Sequence, residues 1–149
     1  MPITDEQVAT LHAQLAGRID EHERLLDQLT TEEAQSGYIT LVTAAFFEAV
    51  DRKFIINDTA ADEAEIIEFI AYQRSAHPIA AEQLDPSVAE DVILHALGKG
   101  SIGEDVDAET LLGTKILLLA ALIGEADLGE AELEKFLVKA RSEADAHMG

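Results

Sequence analysis

Leu111-Leu112-Gly113-Thr114-Lys115-Ile116-Leu117-Leu118-Leu119-Ala120-Ala121-Leu122-Ile123 is the stretch whose reading decides the fold. From Ile116 to Ile123 it is apolar without interruption, so a helix built from it repels water on every face and has no place on a surface. A membrane span needs about 18 to 20 apolar residues. This run is shorter, begins after Lys115 and leaves through Gly124-Glu125-Ala126-Asp127. The expectation is a helix at the centre of a core.

A chain of 149 residues has the size of one ordinary domain, and residues 1–149 are read as a single helical domain. The composition is 48% hydrophobic but only 5% aromatic, so Leu, Ile, Val and Ala must fill the core, as they do between close-packed helices. With no cysteine there is no disulfide framework, no thiolate metal site and no cysteine nucleophile. The opening Met1-Pro2-Ile3-Thr4-Asp5-Glu6 lacks the basic and apolar regions of a signal peptide, so a cytoplasmic location is expected. Thirty acidic against ten basic residues leave a formal charge of −20. A field of that sign repels nucleic-acid phosphates and anionic lipid surfaces and favours a basic protein partner or cations. The plainer account of the same charge is a set of solvated helix faces that keep the chain in solution.

Outward from the central run, start and stop signals divide the chain. Thr4-Asp5-Glu6-Gln7 has the capping-box pattern, and Val8, Leu11, Leu15, Ile19, His22, Leu26 and Leu29 follow at spacings of three and four. One continuous amphipathic helix is expected there, with His22 hydrogen-bonded at the core edge and Asp20, Glu21, Glu23 and Arg24 toward water. Thr30-Thr31-Glu32-Glu33 opens a second helix through Tyr38, Val42, Phe46 and Val50 to Asp51-Arg52-Lys53, after which Phe54 to Asp58 reads as a loop whose apolar residues tuck back on the core. Asp58 or Thr59 should cap a third helix, from Ala60 to about Ser75, with Ile66, Ile67, Phe69 and Ile70 inward. Pro78 ends it, Ile79 to Leu84 reads as a short helical turn, and Asp85-Pro86 starts a fourth helix that stops at Gly98-Lys99-Gly100. The central helix and a last one from Gly129, with Leu133, Phe136, Leu137 and Ala140, complete the set. No segment alternates with period two as a strand would. The fold class is therefore all-α, a single-domain bundle of about six helices.

An internal echo overlies this order. Ala64-Glu65-Ile66 with Phe69-Ile70 and Arg74 matches Ala131-Glu132-Leu133 with Phe136-Leu137 and Arg141, and each copy follows an apolar helix closing on Asp51 or Asp127. Two related helix-loop-helix hairpins are the implied architecture. This layout resembles the helical tellurite-resistance TerB-like family, whose hairpins carry an Ala-Asp-Gly element followed by a Glu that opens the next helix. Ala126-Asp127-Leu128-Gly129 with Glu132 comes nearest to that pattern, and Val50-Asp51 with Glu65 comes second. The resemblance implies a cytoplasmic acidic module in which Asp127, Glu132, Asp51 and Glu65 meet a divalent cation, calcium or magnesium, or a partner surface.

Other chemistry is tested by spacing. Asp91 and His95, and likewise Glu143 and His147, are four apart and share a helix face. Glu-x-x-His occurs nowhere, which removes a carboxylate-bridged diiron centre. Asp51 to Glu63 lacks the central glycine of an EF-hand loop. Gly98-Lys99-Gly100-Ser101 lacks the first glycine of a phosphate loop, and no Gly-x-Ser-x-Gly elbow exists. Glu65-Ile66-Ile67-Glu68 and Glu82-Gln83-Leu84-Asp85 resemble the paired acidic motifs with which MazG-type nucleotide pyrophosphohydrolases bind magnesium. The leading expectation is a non-catalytic acidic binding module, with a magnesium-dependent MazG-like hydrolase as the alternative. A hydrolase requires a cleft with at least four convergent carboxylates, whereas a binding module requires a continuous acidic or apolar patch.

Overall fold

Helices begin where short polar side chains can take the first free amides, and end where the backbone can turn left-handed. The computed structural model describes residues 2–148. In it the elements run α1 (Asp5–Leu15), α2 (Ile19–Asp27), α3 (Glu32–Phe54), β1 (Ile55–Ile56), β2 (Thr59–Ala60), α4 (Glu63–Ala76), α5 (Pro78–Gln83), α6 (Pro86–Ala96), α7 (Ala108–Ala126) and α8 (Glu130–Met148). The chain is thus all-α but for one small hairpin. Thr4 and Gln7 form the reciprocal box, Gln7 N–H donating to Thr4 Oγ1 at 3.2 Å and Thr4 N–H to Gln7 Oε1 at 2.8 Å. Thr31 caps α3 through Ala34 N–H at 3.0 Å, and Asp85 caps α6 through Ser87 N–H at 2.8 Å, with Pro86 at the first helical position. Asp107 accepts from Thr110 N–H at 2.7 Å, and those hydrogen bonds hold its carboxyl below the ordinary range.

Four expectations are corrected. The helix expected from Thr4 to Leu29 breaks at Gly17, whose φ is +80°. Gly17 N–H donates to Gln14 O and Arg18 N–H to Ala13 O, which satisfies the last carbonyls of α1 and ends it. The non-helical residues shift the phase, so α2 turns Leu25 and His22 partly inward and leaves Ile19 and Leu26 exposed. Next, the loop after α3 is a hairpin pairing Ile55 with Ala60 and Ile56 with Thr59. Asn57 and Asp58 both take positive φ, 54° and 63°, as a two-residue hairpin turn demands. Phe54 is buried, but Ile55 and Ile56 stay exposed instead of tucking back. The cap of α4 then falls on Asp62, which accepts from Glu65 N–H at 3.0 Å, rather than on Asp58 or Thr59. Finally, the short helical turn expected near residues 79–84 is present as a helix of residues 78–83, and with the break at Gly17 it brings the count to eight helices among the described residues rather than about six.

The chain divides into two compact units, residues 1–48 with 123–149 and residues 49–122. In the first, α1 packs against α2 and α8, and Leu11, Phe46, Phe136 and Ala140 are fully buried. The N-terminal segment is tied to α8: Arg141 donates to Asp5 Oδ1 and to Ile3 O, each at 2.7 Å, and Ile3 N–H donates to Asp145 Oδ1 at 2.6 Å. Glu48 is a buried carboxylate 3.2 Å from Lys139 Nζ. Tyr38 is buried as well, its hydroxyl 3.4 Å from Gln14 Oε1, and desolvation pushes its phenol well above the usual range.

In the second unit α4 packs against α5 and α6. Phe69 meets the ring of Phe54 edge-on at 5.6 Å, and Lys53 Nζ lies 5.4 Å from the Phe69 ring centre. Lys99 Nζ donates to Ala61 O at 2.9 Å. Along α7, Thr114, Leu118, Leu119, Leu122 and Ile123 are buried, whereas Gly113, Ala120 and Gly124 are exposed. The expectation of burial on every side is thereby narrowed: the exposed residues of the run are among its smallest, and Leu111, Leu112, Ile116 and Leu117 are only half-buried. Among the described residues no helix is long and apolar enough to cross a membrane.

The internal echo keeps register. Glu63 and Glu130 are the first residues of α4 and α8, so Phe69 and Phe136 occupy the same helical position, and both are buried. Arg74 lies in the last turn of α4, whereas Arg141 is mid-helix because α8 runs on to Met148.

Candidate functional site

The acidic candidates are placed by the backbone around them. Asp127 ends α7 with φ of 50°, its N–H donating to Ile123 O at 3.2 Å. Glu132 lies in the first turn of α8, where a carboxylate favours the positive end of the helix dipole. Asp51 lies in the last turn of α3 and Glu65 in the first turn of α4. All four are exposed, the first pair in one unit and the second pair in the other. Among the described residues no group of three or more His, Asp or Glu side chains is arranged to hold a metal ion.

The paired acidic motifs also separate. Glu65 and Glu68 share α4, but Glu82 belongs to α5 and Asp85 is the cap of α6, its Oδ1 accepting from Ser87 and Val88 N–H groups. Asp91 is half-buried and His95 exposed on α6, while Glu143 and His147 are exposed on α8.

One pairing has no trace in the linear sequence. Glu63 at the start of α4 and Glu90 on α6 share a side-chain hydrogen bond, which with desolvation and the charges of Glu63 and Asp91 raises the Glu90 carboxyl above its ordinary range. A hydrogen bond between two carboxyls requires that one keep its proton. A raised folded pKa gives stability that is full below the unfolded value and lost as pH rises through the folded one. At neutral pH the pair is therefore a liability. Glu90→Gln should raise the melting temperature at pH 7, and the gain should shrink toward pH 4; an equal shift at both values would show that no proton is shared. Glu63 is exposed and Glu90 only half-buried, so solvent screens the pair and the effect should be modest.

The other local feature is a surface on the first unit. Helix α2 buries no residue, although its two faces differ sharply in polarity. Ile19 is 52% exposed and Leu26 40%, two turns apart along one ridge, and Glu23 falls between them in height but is turned about 40° round the helix from Ile19. Asp20, Glu23 and Asp27 form a parallel acidic row. No hydrogen bond or ion pair engages these three side chains among the described residues, whereas Glu21 meets Arg18 at 3.8 Å. The helix is held on α1 by His22, whose Nδ1 lies 2.8 Å from Thr10 O and must therefore carry the proton. A second, shallow groove of about 430 Å³ lies between α1 and α8, with Val8, Ala9, Leu137 and Val138 as its apolar lining and Asp5 and Arg141 among its polar residues. Sequence periodicity assigned Ile19 and Leu26 to the core, which hid the α2 surface; Gly17 was the signal that the stripe would lose phase. No known family model, curated protein or solved structure matches the chain.

Proposed function

We propose that this chain is a non-catalytic acidic binding module for a basic protein partner. The observation that carries the reading is the disposition of carboxylates: Asp20, Glu23 and Asp27 border exposed apolar side chains on a held helix instead of converging on a point. Negative charge is shared by both units, 16 acidic against 5 basic side chains in the first (net −11) and 14 against 5 in the second (net −9). Such a field speeds encounter with a cation-rich surface and repels polyanions. Hydrolysis of the MazG type is less well supported, because Glu82 lies on α5 while Asp85 is the cap of α6, so the two do not share a helix face. Kinship with TerB-like hairpins belongs to the same reading and draws support from the shared register of Phe69 and Phe136.

The test uses an oligolysine peptide with no apolar residues, followed by fluorescence anisotropy. Binding should be firm at about 0.01 M salt and weaken toward about 0.15 M, as the Debye length falls from roughly 30 Å to 8 Å. Incubation with nucleoside triphosphates and magnesium should release no pyrophosphate, and calorimetric titration with calcium or magnesium should give no heat. Absence of binding at low salt, or magnesium-dependent pyrophosphate release, would overturn the proposal.

A further inference from the structure

The geometry of α2 points to the kind of partner, and this step rests on the acidic-module reading: we infer that the Ile19–Leu26 ridge docks one basic amphipathic helix. Ile19 and Leu26 are seven residues apart, two helical turns or about 10.5 Å, the spacing at which a facing helix presents apolar residues at i and i+7. Beside that ridge Asp20, Glu23 and Asp27 repeat at i, i+3 and i+7, so Lys or Arg on one flank of the incoming helix meets a carboxylate at each turn. Arg24 is the one cation on α2 itself and lies on the far side of the acidic row from the ridge.

Charge selects among occupants. A second copy meeting this face about a two-fold axis would set the same acidic row against itself, in a unit that already carries net −11. An anionic lipid surface is repelled for the same reason. A neutral apolar helix would cover Ile19 and Leu26 but leave three carboxylates beside a dry contact without partners, which costs free energy. A basic amphipathic helix satisfies both rows at once. The site is also preorganised: a helix as short as α2 is marginal alone, yet its N-terminus is set by the Gly17 turn and its body by His22 on Thr10 O, so little ordering remains when the partner arrives.

The experiment compares a helical Leu/Lys peptide, with Leu on one face and Lys on the other, against a scrambled peptide of identical composition, by anisotropy on the full chain at about 0.15 M salt. The amphipathic peptide should bind about tenfold more tightly, the effect of covering roughly one exposed Leu. Leu26→Asp and Ile19→Ser should each bring its affinity down to that of the scrambled peptide while the chain stays folded with at most a small fall in melting temperature, because both side chains are only partly covered, Ile19 at 52% and Leu26 at 40% exposure. Glu109→Gln, on α7, should leave the preference unchanged. If the two peptides bind alike and Leu26→Asp alters neither, the helix-docking inference falls while the acidic-module reading stands. If neither peptide binds even at low salt, both fall. If the chain alone sediments as a dimer that Leu26→Asp dissolves, the ridge is covered by a second copy and the inference is overturned.

Discussion

Leu118→Asp should abolish the cooperative thermal transition. Leu118 is fully buried in α7, so the substitution removes a packed side chain and strands a carboxyl without a partner. Together these terms cost at least about 5 kcal/mol, against a total stability of roughly 5 to 15 kcal/mol for a domain of ordinary size. Leu118→Met, which conserves volume and polarity, should cost under about 1.5 kcal/mol. Ala120→Asp lies two residues away in the same apolar run but is exposed; it should cost under about 1 kcal/mol, from helix propensity alone. Melts followed by far-UV circular dichroism read all three. Equal damage at Leu118 and Ala120 would mean that α7 is enclosed on every side, and a Leu118→Asp chain that melts like the parent would place that residue outside the core.

Phe136→Ala and Phe69→Ala should each cost about 3 to 5 kcal/mol. Both are buried at the seventh position of their helices, Phe136 completely and Phe69 to within 6% exposure. Phe69 carries an additional, separable term, its edge-on contact with Phe54. In a double-mutant cycle Phe54→Ala and Phe69→Ala should therefore couple by about 0.5 to 1.5 kcal/mol. Denaturant unfolding gives each value. Additive losses at Phe54 and Phe69 would remove the ring contact as a source of stability, and a loss below about 1 kcal/mol at Phe136 would be incompatible with its burial.

Much of the helical order was legible because its causes are local. Thr4 with Gln7, Asp85 before Pro86 and the stop at Gly98 all act within a few residues, so spacing along the chain contains the whole interaction. The hairpin was legible in principle: Asn57-Asp58 tolerates the positive φ of a two-residue turn, but two paired residues on each side are too few for alternation to register. The exposed face of α7 could have been suspected from Gly113, Ala120 and Gly124 at helical spacing, the small residues that cost least in water.

Composition and pattern by themselves determined an all-α chain of high negative charge, without cysteine chemistry, whose helices start and stop at identifiable side chains. Those properties follow from sums over residues and from interactions within one helical turn. Which face of α2 lies inward and where Glu63 meets Glu90 were decided only by tertiary structure. Each depends on the phase one helix keeps after a break or on how two helices pack, and a single left-handed residue such as Gly17 resets that phase without changing the hydrophobic spacing that precedes or follows it.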